Sequence, residues 1–317
     1  MTDGHRITTS QDDRDMINFH LPDFCGNYRM NLYIADLLKK EPQLFYDGVK
    51  IASSYGCFPP ALWNGGRTSV GAVKREFIPF LISEYRRRGI PIRYTFTNPT
   101  LKEKDLADPF CNMIAKLAED GVNEIIVNVP ILEEYIRKTY PKYPLISSTV
   151  KQIEDEGELL KELEKDYKLV VLDYNHNNTE ILHRLPHRGK IELLVNPYCV
   201  PHCKRRGEHY KFLGERQAAE NKLVFEGNTP AVRKMLQKEF KCPNMDMSFY
   251  DTVGYSTHIT PESIYGELTD LGYSNFKIEG RMMHAVDILE SYMYYMVRPE
   301  HRDKVRLHAL RELLRRA

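Results

Sequence analysis

The stretch NPYCVPHCKRRGEHY, residues 196–210, sets Cys199 and Cys203 four positions apart, beside His202, His209 and a basic run. Cys242 follows downstream, Cys25 and Cys57 lie far upstream in PDFCGN and SSYGCFPP, and Cys111 falls inside the helical pattern FCNMIAKLAEDG. Clustered thiolates are metal ligands in reduced proteins: four sulfurs suit an iron–sulfur cluster, and two or three sulfurs with a histidine suit zinc. For zinc, His202 or His209 would add the nitrogen. For a 4Fe-4S cluster, Cys57 or Cys25 would supply the sulfur that completes Cys199, Cys203 and Cys242. A nucleophilic cysteine would need a base and an orienting third group, and the sequence singles out neither. The plain alternative is an ordinary loop, because C-x3-C alone is a weak signal. Cys111 reads as a small buried hydrophobe.

Six cysteines at irregular spacings in 317 residues lack the density of a secreted disulfide framework, so reduced thiols are expected. The acidic, polar start MTDGHRITTSQDDRD has no apolar signal stretch, and runs such as IIVNVPIL are too short to span a bilayer. A cytoplasmic protein with no membrane span is the expectation. With 45 basic against 44 acidic side chains, no overall field draws the chain to nucleic acid, so any basic footprint must be local. RRR (86–88) and KRR (204–206) are such local runs, without the aromatic interleaving of a stacking platform.

These residues need a scaffold, and the chain alternates short β-rich runs with helical stretches from end to end. Strand candidates are 16–21, 48–53, 90–96, 123–128, 144–149, 168–173, 190–196 and 275–280. VGAVKREFIPFLISEYRRRG (70–89) predicts a crossover helix with Val70, Val73, Phe77, Phe80 and Leu81 on one face and Gly89 as its stop. Eight strand–helix units in about 250 residues match a closed (β/α)8 TIM-type barrel. The expected architecture is a single barrel domain over 1–317, with a long cysteine-bearing insertion at 197–260 after strand 7 and a C-terminal helix in RDKVRLHALRELLRRA. A doubly wound open sheet is the alternative.

Alternation along the strands puts Ile17, Phe19, Val49, Ile51, Tyr94, Phe96, Ile125, Val127, Phe276 and Ile278 toward the helices. Asn18, His20, Thr95, Asn128, Glu192, Asn196, Lys277 and Glu279 then fall in the lumen or at its rim. Buried polar groups must bind one another or a ligand. Asn128, Asn196 and Glu279 each close a strand at its C-terminal end, where barrel enzymes keep their chemistry. LDYNHNNTE (172–180) adds Asp173, Asn175 and His176 for polar substrate groups, with helix capping the plain alternative for Asn178 or Thr179. WNGGRTS (63–69) carries a glycine pair and an arginine ahead of a helix, a weak anion-site cue.

FKIEGRMM (276–283), together with NPYCVPHCKRRGEHY, resembles the U32 family of collagenase-like peptidases. The resemblance is most specific over about 190–297; upstream it rests on strand order and on DGVKIASSYGCFPPALWNGGR (47–67). It implies a barrel holding a 4Fe-4S cluster on four cysteines, in a family that includes oxygen-independent hydroxylases of RNA or a ubiquinone precursor, some drawing on prephenate. It assigns Cys203 and Cys242, Cys199 with Cys203, and Cys57 to ligand positions of different branches. The family's common branch has a further cysteine pair before strand 7, where this chain reads VVLDYNHNNTEIL.

The functional expectation is an iron–sulfur enzyme of redox, hydroxylation or oxygen-transfer type, acting on a small molecule, a prephenate-like carboxylate or an RNA-borne group. Arg281 would grip a carboxylate with its planar fork, Lys277 would act as a point charge or proton donor, and Glu279 would hold both. His20, Asn128, Asp173, Asn175, His176, Asn196 and His209 are the candidate substrate-binding residues. The alternatives are a U32-type hydrolase, with zinc at the cysteine–histidine loop, and a cluster-carrying partner subunit without chemistry of its own. No H-E-x-x-H or G-x-S-x-G pattern favours a protease.

Overall fold

A computed structural model describes residues 16–242 and 247–315. Eight parallel strands close into a barrel in chain order, with β8 pairing back onto β1. They are β1 (Ile17–Pro22), β2 (Val49–Gly56), β3 (Ile92–Phe96), β4 (Glu124–Val127), β5 (Leu145–Ser147), β6 (Leu169–Val171), β7 (Ile191–Leu194) and β8 (Asn275–Lys277). Helices α1 (Tyr28–Lys40), α2 (Phe77–Arg87), α3 (Pro109–Leu117), α4 (Pro130–Thr139), α5 (Glu156–Glu164) and α6 (Ile181–Arg184) make the first six crossovers. The expected TIM-type barrel is therefore the observed fold, and the open sheet is excluded.

Local sequence explains where the helices start. Asp108 caps α3 by accepting from the Cys111 amide at 2.7 Å, with Pro109 at the first helical position, where a missing N–H costs nothing. The helix expected from residue 70 begins only at Phe77, so Val70 and Phe80 are exposed, while Ile78, Leu81, Ile82 and Tyr85 face the core. Pro79 is the reason: it fits the first turn of α2 but has no N–H to bond residue 75 in a longer helix. Gly71, at φ +91°, also turns the chain out of helical geometry.

The strand faces follow the expected alternation. Phe19, Tyr94, Phe96, Ile125, Val127 and Phe276 join one large apolar core with the helices. Inside the barrel a small separate cluster forms from Tyr55, Ile126, Ile146, Leu169 and Val171. The rest of the lumen is ionic. Register sets Arg93 beside Glu124, and Arg93 bonds both Glu124 and Glu192. Lys168 also bonds Glu124. Such charges are tolerated in a dry interior only because each faces an opposite one.

Beyond β7 the chain forms α7 (Arg206–Phe225) and α8 (Pro230–Leu236) before returning to β8; α9 (Ala285–Met296) and α10 (Arg302–Arg315) follow. Helix α7 lies across the loops after β2 and β3 and is fastened by polar bonds. Gln217 Oε1 accepts from the Asn64 side chain at 2.9 Å and from the Ser69 amide at 2.7 Å, and Asn98 donates to the Gly214 backbone carbonyl at 3.2 Å. A Cβ at Gly214 would stand 2.3 Å from Asn98 Oδ1, so the crossing requires glycine. The insertion thus roofs the C-terminal mouth of the barrel.

Candidate active site at the barrel mouth

A cavity of about 220 Å³ lies between the barrel mouth and this roof. Its floor is Lys277 with Tyr55 and Ile126, its sides carry Arg67, Glu279 and Arg281, and its roof includes Arg206, His209 and Tyr210. Lys277 ends β8, and Glu279 and Arg281 follow on the loop to α9, so the strand and its turn carry all three to one space. The Lys277 ammonium sits 3.3 Å from Glu192 and 4.1 Å from the centre of the Tyr55 ring. The Tyr55 hydroxyl donates to the Ile278 carbonyl at 2.7 Å, which fixes the ring beneath the ammonium.

Burial, aided by the charges of Arg93 and Arg281, pushes Lys277 down to about 8 against the opposing pull of Glu192. Glu192 is fully buried; burial favours its neutral form, but Arg93 and Lys277 overcome that and hold its carboxyl well below the usual carboxylate range. His20 is pushed down to about 3 by burial and by Arg93, so its ring is neutral at pH 7.

Arg281 is held from two sides. Its guanidinium donates to Asn64 Oδ1 and Thr95 Oγ1, each at 2.9 Å, and to the Gly65 carbonyl at 2.7 Å. All three acceptors are neutral, and among the described residues no carboxylate lies within ion-pair distance of it. Burial and the neighbouring Arg67 charge lower its pKa. Gly65 makes this fit, since a Cβ there would lie 2.2 Å from the Thr97 carbonyl oxygen. Arg67, by contrast, bonds Glu279, whose second oxygen accepts from the Tyr198 amide at 3.1 Å.

Several expected substrate-binding residues serve the scaffold instead. His20 lies below the floor, with its ring nitrogens 2.8 Å from Ser53 Oγ and 3.3 Å from Asn275 Oδ1. Asn196 is fully buried and exchanges two bonds with the Glu279 backbone, at 2.7 and 3.0 Å. Asp173 accepts from Arg206 and so ties β6 to the start of α7. Asn175 donates to Glu154 and accepts from the His202 amide, each at 3.0 Å, and the His176 ring lies 3.2 Å from the Ile153 carbonyl oxygen. Asn128 is half-buried away from the cavity. Only His209 lines the cavity, stacked at 4.4 Å on Phe240 and pushed down to about 4 by burial. The chain spends polar residues after strand ends on holding loops, and spacing alone does not separate those from residues that face a ligand.

The cysteines divide between the apolar core and the cavity. Cys57 is buried in the apolar core, where burial pushes its thiol far up; Cys25 is its thiol neighbour. Cys199 and Cys242 line the cavity, and Cys203 is electrostatically linked to Cys199. Among the described residues no three His, Cys, Asp or Glu side chains are placed to hold one metal ion. Sequence reasoning missed Arg67 as a cavity residue beyond a weak cue, and missed the tyrosine walls at Tyr55, Tyr174 and Tyr210 entirely. Tyr55 had no such signal: alternation from Val49 and Ile51 turns it outward, and a register shift opposite Phe19 and His20 brings Ser53 and Tyr55 to the lumen face.

Comparison of the sequence with family models and with curated proteins gives no match. Comparison of the fold does: the solved structure of the U32 peptidase Mk0906 superposes with a TM-score of 0.52 over 88% of this chain and 97% of that one, at 9% sequence identity. The chain has the U32 peptidase fold. The U32-type barrel places its cavity at the mouth where β8 delivers KIEGR, the segment on which the resemblance was read. Among the described residues no helix of this U32-type barrel is long and apolar enough to cross a membrane.

Proposed function

We propose that the protein is a U32-family enzyme that binds a small organic anion, a carboxylate, in the barrel mouth. The observation that carries this reading is Arg281, a half-buried cation that lines the cavity, bonds only neutral acceptors and, among the described residues, has no carboxylate within ion-pair distance, Asp23 acting on it only from farther off. Three of the five N–H groups of a guanidinium are used within the chain, which leaves two for a ligand. An anion seated there would meet Lys277 and the Glu279-paired Arg67 on the same walls. Lys277, at about 8, is suited to exchange a proton with such a ligand near neutral pH. A cavity of about 220 Å³ takes a small molecule or a single projecting group.

Calorimetry with small carboxylates and their matched amides tests the reading. Carboxylates should bind and amides should not, and Arg281→Gln should weaken carboxylate binding at least tenfold. Equal binding of acid and amide would refute it.

The iron–sulfur redox reading keeps one favourable observation: Cys199 and Cys242 share the cavity wall with His209. Anaerobic purification with iron and sulfide analysis decides it, and a protein without either element removes it. The hydrolase reading rests on the name of the fold neighbour. Burial pushes the Cys199 thiol up to about 11, so it makes a poor nucleophile at neutral pH.

A further inference from the structure

We propose that Lys277 is a Schiff-base lysine, whose Nζ condenses with the carbonyl carbon of a small oxo acid held by its carboxylate against Arg281. The inference rests on the carboxylate reading above and adds the substrate's second functional group and a covalent step.

Lys277 is 7% exposed, yet it lines the cavity floor. Buried lysines act as carbonyl nucleophiles when their surroundings leave part of the population as free amine. At about 8, roughly a tenth of Lys277 is unprotonated at pH 7, against far less than a hundredth for an ordinary lysine. Arg281 reaches the same aromatic platform: its guanidinium carbon is 5.9 Å from the centre of the Tyr55 ring over which Lys277 sits. One small molecule can therefore touch both cations.

The step balances without an outside oxidant or reductant. The amine lone pair forms a C–N bond to the carbonyl carbon, and the C=O π pair moves to oxygen, which takes up the proton released by nitrogen. The carbinolamine then loses its hydroxyl as water, using one proton from solvent, and leaves a protonated imine on Nζ. That iminium carries the same single positive charge as the ammonium it replaces. The contacts to Glu192 at 3.3 Å and to the Tyr55 ring therefore suit the product as well as the resting lysine.

The test is borohydride trapping on the full chain. Pyruvate, 2-oxoglutarate and phenylpyruvate are each incubated with the protein and reduced, with the corresponding 2-hydroxy acids as controls, followed by intact mass and peptide mapping. The expected result is a mass increase equal to the oxo acid less one oxygen atom, located on the Lys277 peptide. Lys277→Arg should remove it and Arg281→Gln should lower its yield at least tenfold. Mapping the unsubstituted protein keeps the test valid if a variant fails to fold. Oxo acids that bind by calorimetry but leave Lys277 unlabelled, or an adduct on other lysines alone, would overturn the covalent step and leave the carboxylate reading standing. Failure of both oxo and hydroxy acids to bind would remove the carboxylate reading and this inference with it.

Discussion

The barrel carries buried charge at two depths. In the lower lumen, Arg93 bridges Glu124 and Glu192, and Lys168 completes the chain, so each carboxylate faces a cation. At the mouth, Arg281 rests on an amide, a hydroxyl and a backbone carbonyl. Arg93 is buried and Arg281 half-buried, and both sit among polar groups. What separates scaffold from site is the lack, among the described residues, of a directly paired carboxylate at Arg281, with Asp23 acting on it only from a distance, since a closed ladder has nothing left to offer a ligand.

That contrast breaks most sharply at Arg93. Arg93→Met leaves two buried carboxylates short of their shared partner and should cost about 3–5 kcal/mol of stability in denaturant unfolding. A loss under about 1 kcal/mol would mean that the ladder is not what holds the lumen. Arg281→Gln should do the reverse, changing stability by less than about 1 kcal/mol while abolishing carboxylate selectivity. If it unfolds the protein as Arg93→Met does, the two depths are the same kind of structure.

Acid sharpens the lower half of the comparison. His20 has a folded-state pKa of about 3 against an ordinary 6.5, so between those values the unfolded chain takes up a proton that the folded chain refuses. Stability should therefore fall as pH drops from 6.5 toward 3, and His20→Asn should flatten that slope in pH-dependent unfolding. An unchanged slope would show that other groups carry it. The smallest effect belongs to Asn128, which is half-buried outside the cavity. Asn128→Ala should alter stability by no more than about 0.5 kcal/mol and leave carboxylate affinity as it was, measured by the same two assays.

The sequence made the barrel legible because a parallel sheet writes itself twice, once in the alternation of strand and helix and again in the two faces of each strand. Phe19, Tyr94 and Phe276 could be assigned outward and Glu192 and Lys277 inward on period alone. Arg93 and Glu124 were readable by the same rule, since Arg93 stands two residues before Thr95 on the lumen face, and they were overlooked. The trio Lys277, Glu279 and Arg281 was placed at the mouth because it is local in sequence. The errors came where contact depends on loops. Asn196 and Asp173 lie at strand ends as catalytic residues do, yet one latches onto Glu279 and the other anchors Arg206. Spacing also left open which way Cys57 turns: it follows β2 by one residue and packs into the apolar core, within electrostatic reach of Arg281.

Lys168 precedes β6 at the base of the barrel, half in solvent, while Lys277 lies beneath the roof at the other end. The two are linked by Glu124, Arg93 and Glu192 in turn. Neutralising the outer lysine, as acetylation does, makes Glu124 lean harder on Arg93, leaves Glu192 more dependent on Lys277, and so tightens the hold of Lys277 on its proton. The acidity of the innermost amine can thus be adjusted from the outside of the molecule, through a wire of salt bridges, without any part of the cavity being touched.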